Sequence, residues 1–410
     1  MRAVAGTLAD VTALDAPPAT ERLVTPRFLV VGGATLLFFT YIGVMIPLIP
    51  RLIEDELGGG EFDIGLNFAI FSIAAIAVRP VLATFAERFG LRMMMAAGAL
   101  LAAAASLVII GIDSVWWMLP VRGVQGIGEA ALFVGGASLI NGFAPPTRRA
   151  EAASYFSVAV FGGIGLGPII GETVIGDDRF AAGLIVAAVF ALIAAALAMC
   201  IPSTSDDRPP APKGNRFHRA ALRPGAVLGL GIAGFATFNA FMPKHAEDVG
   251  LSGSQWVFAV YSIVCLVIRL VGAKWPERIG LARSTTIALS GVGLGLAVLW
   301  AVPTIIGVFA GTFVMAFGMA FMYPALMAMT VNSVPDDERV AVISTFTMFF
   351  EVGSAAGGIV LGLVAELTSK RGGFLGGAIS CALGLWVLWR MLLPWVQQRS
   401  RSLTLVSESR

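Results

Sequence analysis

Charge is scarce in this chain. Asp, Glu, Lys and Arg supply 13% of its 410 residues, against about 25% in ordinary soluble domains. The counterpart is 57% apolar residues and a mean hydropathy of +0.85, more hydrocarbon than a water-soluble fold can hide. Cysteine and histidine are nearly missing. Cys200, Cys265 and Cys381 fall inside apolar runs at no paired spacing, which reads as buried free thiols rather than disulfides or metal ligands. His218 and His245 stand alone, so no metal site is expected. A phosphate-cradling Gly-x-x-x-x-Gly-Lys-Ser/Thr loop is lacking, which argues against ATP-driven work by this chain alone. No nucleophile–base pair is recognisable, so the expectation is neither an enzyme nor a cofactor protein. No nucleic-acid partner is expected either.

What is present is hydrocarbon in blocks. A bilayer core needs about 20 apolar residues per helix. Twelve segments qualify: 28–49, 62–84, 93–112, 116–141, 152–175, 180–201, 225–243, 255–273, 284–302, 305–332, 342–366 and 373–394. They are rich in Gly, Ala, Leu and Val without strict alternation, which favours helices over barrel strands. The expected fold is an all-α integral membrane protein with a 6 + 6 arrangement. Residues 1–24 form a polar tail, 25–201 a first six-helix bundle, 202–224 a Pro-rich basic linker, 225–395 a second bundle and 396–410 a second tail. The tail before the first span has no unbroken apolar core and carries Asp10, Asp15 and Glu21, unlike a signal peptide.

Basic residues fix the expected orientation. With the N-terminus inside, Arg88, Arg92, Arg148, Arg149, Lys213, Arg216, Lys274, Arg278 and Arg283 all fall in inner loops. Outer loops hold only Arg51, Arg179, Lys244, Lys370 and Arg371. Both termini are therefore expected in the cytoplasm, the protein lying in the cell membrane.

The chain also repeats itself. Arg79-x-x-x-Ala83-x-x-x-Glu87-Arg88-x-Gly90-Leu91 returns 190 positions later as Arg269-x-x-x-Ala273-x-x-x-Glu277-Arg278-x-Gly280-Leu281. The register holds as far as Gly163 and Gly167, which match Gly353 and Gly357. Two homologous halves of equal helix and loop length, in so apolar a chain, are the mark of a transporter built around a central site.

Three motifs extend this to a resemblance. Ala83 to Arg92, joining spans 2 and 3, is similar to the G-x-x-x-D-R-x-G-R-K/R pattern of the major facilitator superfamily, with Ala for the first Gly, Glu87 for Asp and Leu91 for Arg. Arg122-Gly-Val-Gln125-Gly-Ile-Gly-Glu129-Ala in span 4 resembles the R-x-x-Q-G-x-G-x-A pattern of proton-coupled members. Gly163 to Glu172 in span 5 resembles the G-x-x-x-G-P-x-x-G-G pattern of drug-exporting antiporters, with Gly163, Gly167, Pro168 and Gly171 in place and Glu172 where a Gly belongs. The resemblance implies alternating access and gate roles for Arg79, Glu87, Arg88, Arg92, Arg269, Glu277 and Arg278, with Glu87 capping helix 11. It also implies a smooth helix-5 face sealed against the other half.

Arg122, Gln125 and Glu129, spaced i, i+3 and i+7, share one helix face. A carboxyl in a low-dielectric cavity can load and lose a proton in the physiological range. Glu129, tuned by Arg122, is therefore the first proton-coupling candidate, followed by Glu351 and Glu172. An ordinary neutralised Arg–Glu pair is the competing reading. Glu351, in mid-span, has Phe161 at its repeat-related position. The resemblance implies that spans 1, 7 and 10 line the central cavity, which makes Tyr41, Asn239 and Tyr323 cavity candidates, with Gln125 beside them. The expected function is proton-coupled efflux of amphipathic, lipophilic small molecules by a monomer, energised by the proton gradient. A proton symporter or uniporter importing a metabolite is the main alternative, and a non-transporting receptor the remote one.

Overall fold

The computed structural model describes residues 23–145, 148–176, 179–202, 218–272, 278–334 and 338–396. These residues form α1 (Pro26–Arg51), α2 (Glu61–Phe89), α3 (Leu91–Ile109), α4 (Val115–Phe143), α5 (Arg149–Ile175) and α6 (Phe180–Met199). The second set is α7 (Leu222–Asp248), α8 (Gln255–Val271), α9 (Leu281–Ala301), α10 (Ile305–Val331), α11 (Arg339–Ala356) and α12 (Lys370–Val387). Helix α11 runs on through Gly357–Leu361 and Gly362–Leu367, and α12 through Leu388–Leu392. Among the described residues there is no strand, and eleven of the helices are long and apolar enough to cross a membrane. The twelfth, α8, has 17 residues and stops just short of 273–277, which lie outside the described residues, Glu277 among them.

Local chemistry sets the ends. Thr25 caps α1 by accepting the Phe28 N–H at 3.3 Å, with Pro26 in the first helical position. Thr304 and Ser369 cap α10 and α12 in the same way. Gly90 and Gly280, repeat partners in the sequence, break α2 from α3 and start α9 with φ of 87° and 90°, a conformation that side chains with a Cβ resist. Helix α7 begins at Leu222 rather than 225. Pro224 sits in its first turn, where a missing N–H costs nothing.

The first six helices pack as one group, with α1 against α5 and α6, α3 against α4 and α6, and α2 against α4. The second group repeats the pattern: α7 against α11 and α12, α9 against α10 and α12, and α8 against α10. The halves meet along α2–α11, α5–α8 and α1–α7. The first two of these contacts exchange under the 190-residue repeat.

The glycines of α5 correct one expectation. Gly163, Gly167 and Gly171, four apart, face α1 inside their own half, where a methyl on Gly167 would land on the backbone of Gly43. Gly353 and Gly357 likewise lie on Gly229 and Ala233 of α7. Intervening Gly165, about 200° round the helix, is the one facing the other half, at Ser262 of α8. The motif's smooth face thus builds the bundle, because the closest backbone approach on α5 is to α1. On α11 the offset residues Gly358 and Gly362 meet Gly65 of α2.

Candidate functional site between the two halves

Glu129 is the central residue of the 29-residue α4, about 21 Å from either helix end at 1.5 Å per residue. It feels the charges of Glu351 on α11 and Arg79 on α2. Glu351 in turn interacts with Ser72 and Arg79. Two acids and one guanidinium therefore face each other across the junction of the halves. All three keep some accessible surface despite their depth, as groups lining a cleft do. Arg79 Nε has no hydrogen bond.

Arg122 does something else. Its Nη1 donates to Gln125 Oε1 at 2.6 Å, and Gln125 Nε2 donates to Ser106 Oγ at 3.0 Å. The guanidinium lies 4.9 Å and 5.7 Å from the rings of Phe71 and Phe68. It forms no ion pair with Glu129 among the described residues. The shared helix face was correctly read, but seven residues separate the two groups by about 10 Å along the axis, and a glutamine stands nearer. Arg122, Gln125 and Tyr41 are buried in the first half, so Gln125 and Tyr41 do not line the cleft in this conformation. Tyr41 Oη has no hydrogen bond there. Asn239 and Tyr323 keep accessible surface, as expected of cavity residues.

Arg269, the repeat partner of Arg79, is half-buried with its guanidinium 3.8 Å from the Phe161 ring centre on α5. Its Nε is also without a hydrogen bond. Behind it lies an aromatic cluster of α7 and α8, with Phe235 stacked on Tyr261 at 5.3 Å and Phe238 edge-on to Phe258 at 5.3 Å.

A second polar cluster, which sequence reading missed, ties the halves at the end of the bundle away from Leu23 and Val396. Arg51 at the end of α1 donates to Glu172 of α5 at 3.1 Å and forms an ion pair with Glu247 of α7 at 3.1 Å. Glu172 also accepts from Ser254 N at 3.1 Å and from the Ser254 hydroxyl, at the start of α8. Lys244 reaches Asp55 at 2.7 Å, and Lys370 reaches Glu54 at 2.9 Å. The Phe62 N–H donates to Glu366 at 3.2 Å. Glu172 is thus engaged in an interlocking end rather than standing with the other acids. The one signal of this cluster in the sequence reading was Glu172, standing where the motif has a Gly.

At the opposite end the gate candidates are apart. Glu87, Arg88 and Arg278 are exposed, and Glu87 has no ion pair among the described residues. Among the described residues Glu87 does not make the expected cap of α11 in this conformation. Arg88 lies 5.2 Å from its neighbour Phe89's ring. Arg92 is occupied within its own half, donating to Ile201 O at 3.2 Å.

Two six-helix bundles around a charged cleft, interlocked at one end, define a membrane transporter. The Major Facilitator Superfamily profile matches residues 31–235 and 225–405, and the chain belongs to that family. Its relatives include an uncharacterized MFS-type transporter of Salmonella typhimurium, 23% identical over 384 residues, covering 92% of this chain and 99% of the relative. Another, from Burkholderia mallei, is 24% identical over 388 residues, with 90% and 94% coverage. Among solved structures, the nucleoside transporter NupG superposes with a TM-score of 0.71 at 14% identity, over 89% of this chain and 98% of its own. A bacterial homologue of the human lysosomal transporter Spinster, inward-facing and unoccupied, gives 0.69 at 14%, over 93% and 98%. These structural likenesses speak to the fold alone. The chain is a transporter and not an enzyme, in a family that works without a resident cofactor.

Proposed function

We propose that this protein is a proton-coupled exporter of amphipathic small molecules, working by alternating access between residues 25–201 and 225–395. The observation that carries the proton coupling is the Glu129–Arg79–Glu351 trio. In a low-dielectric cleft two carboxylates and one guanidinium leave one negative charge uncompensated, and a single proton makes the group neutral. Because Arg79 and Glu129 belong to one half and Glu351 to the other, loading that proton changes the attraction between the halves. Proton binding and rocking then become one event.

The positive-inside distribution of the loops supports a cell-membrane protein with both termini in the cytoplasm. On that orientation the interlocked end is external, the separated end internal, and this conformation is open to the cytoplasm. Efflux draws its support from the helix-5 pattern of Gly163, Gly167, Pro168 and Gly171; the protein acts as a monomer on lipophilic cargo. The test is transport of an amphipathic panel into everted vesicles energised by respiration, with and without a protonophore. Uphill accumulation that collapses with the protonophore supports export. Uphill uptake only in right-side-out vesicles would instead favour the importer.

A further inference from the structure

The two repeats kept the same cation and lost its acids on one side only. Arg79 has Glu351 and Glu129 within its field. Arg269 stands 190 residues later, and at the positions repeat-related to those acids the chain has Phe161 and Met319. The groups around Arg269 are the Phe161 ring from α5, Tyr323 from α10, and Cys265 and Tyr261 one and two turns back on α8. None is an anion at neutral pH, and among the described residues Arg269 has no carboxylate partner.

A guanidinium far from bulk water is costly unless something neutralises it. An aromatic face compensates part of that cost and no more. The guanidinium carbon lies over the Phe161 ring, and Nε–H has no acceptor among the described residues and is free to donate. The Tyr323 hydroxyl, on a side chain that keeps accessible surface, is a second donor within electrostatic reach of Arg269, and of Arg79 as well. Two donors near each other with an apolar surround describe an oxyanion seat. The buried, stacked Phe235 and Tyr261 rings behind it make that surround aromatic.

We infer that Arg269 and Tyr323 form the subsite that takes the anionic head of the cargo, which is an amphipathic organic anion with a carboxylate or similar oxyanion on an aromatic body. The inference rests on reading the cleft as the cargo site. It divides the labour there: the proton is handled by the trio around Arg79, and the cargo supplies the missing counter-ion of Arg269.

The test uses the purified full-length protein in lipid nanodiscs and three probes that share one ring system: 2-naphthoate, 2-naphthol and 2-naphthylmethylammonium. Equilibrium binding of labelled 2-naphthoate, with the others as competitors, should rank the carboxylate about tenfold tighter than the ammonium, the worth of one charge-assisted hydrogen bond. Arg269→Gln should erase that preference, and Arg269→Lys should keep part of it. An ammonium that binds as tightly as the carboxylate, no binding by any of the three, or a preference untouched in Arg269→Gln would overturn the inference. Should the Gln variant not fold, the wild-type ranking alone decides. The assay needs no proton gradient, so it fails independently of the proton coupling. A charge preference that persists in a protein whose vesicle transport ignores a protonophore would remove the coupling and leave the anion seat in place.

Discussion

The two halves of this protein share a scaffold and differ in what they put inside it. In the first half one face of α4 carries Arg122 and Gln125, turned into the bundle, and Glu129 at the cleft; the repeat-related positions on α10 are Thr312, Met315 and Met319. Packing features survive the duplication intact: the positive-φ Gly90 and Gly280, the glycine pairs that let α5 lie on α1 and α11 on α7, and the arginines at 79 and 269. Backbone approach tolerates little change, because a single Cβ would strike the facing helix. Charge, by contrast, needs only to be balanced somewhere, so it can be moved wholesale to one side. One wall thus became acid–base and the other aromatic and methionine-rich.

The sharpest way to break that comparison is to remove the central acid. Glu129→Gln keeps shape and hydrogen-bonding while deleting the titratable group, so uphill transport should fall at least about a hundredfold, as when a positioned proton carrier is lost. Energy-independent substrate exchange should persist. Met319→Leu, at the repeat-related position, should leave both within about twofold, since that swap conserves apolar volume. Vesicle uptake and counterflow read the two quantities. Normal uphill transport by Glu129→Gln would pass the role to Glu351 or remove the coupling.

How far the sequence carried the reading depends on range. Twelve helices, their order and the duplication were legible because apolar runs and a constant offset are local or periodic signals. Glu129 and Glu351 stood out singly, since acids in mid-span are rare. Their meeting across α4 and α11 was not visible, because no spacing rule links residues 222 positions apart. Arg122 was given the wrong partner for a related reason: helix periodicity reports angle, not height, and Gln125 was closer. The Arg51–Glu172–Ser254 tie was missed outright, although Glu172 was flagged as a departure from its motif. Its partners come from the ends of α1, α7 and α8, which only the fold brings together.

Packing inside a half and contact between halves should respond differently to the same insult. Gly167→Leu forces a side chain onto Gly43 of α1, so it should destabilise the first bundle by about 1–3 kcal/mol or more, seen as a lower melting temperature and poorer membrane yield. Gly165→Leu, facing Ser262 of α8, should leave the fold standing and hinder closure of the halves, lowering transport more than melting temperature. Equal losses of stability in both would erase the distinction drawn between the two faces of α5.

The interlocked end gives a smaller, conformational effect. Glu172 accepts from Arg51 in its own half and from Ser254 in the other. Glu172→Gln retains an acceptor but loses the charge assistance, about 1.5 kcal/mol, enough to shift the balance of end-open states roughly tenfold. Cysteines placed at the exposed Trp116 and Trp256 positions would only report surface, so the useful probe is a cysteine at Ala69 of α2, buried against Gly358 of α11 and already carrying a Cβ. Its labelling by an impermeant maleimide should quicken in Glu172→Gln, and an unchanged rate would argue that the tie is passive.

An effect of similar size is expected where the repeat-related positions differ most. Glu351 and Phe161 occupy equivalent sites opposite equivalent arginines, one a charge, the other a ring. Phe161→Leu removes the face on which Arg269 rests but keeps apolar bulk, so the loss is that of one cation–π contact, about 0.5–2 kcal/mol. Transport should slow by no more than about thirtyfold on that scale and remain sensitive to a protonophore. Glu351→Gln, at the mirror position, should alter the proton dependence itself, because it changes how many charges the trio must balance. The measurement that separates them is transport rate against pH in both variants, since a packing loss lowers the curve without reshaping it. A reshaped pH profile in Phe161→Leu would mean that Arg269, too, belongs to the proton pathway, and the division into an acid–base wall and a cargo wall would fail.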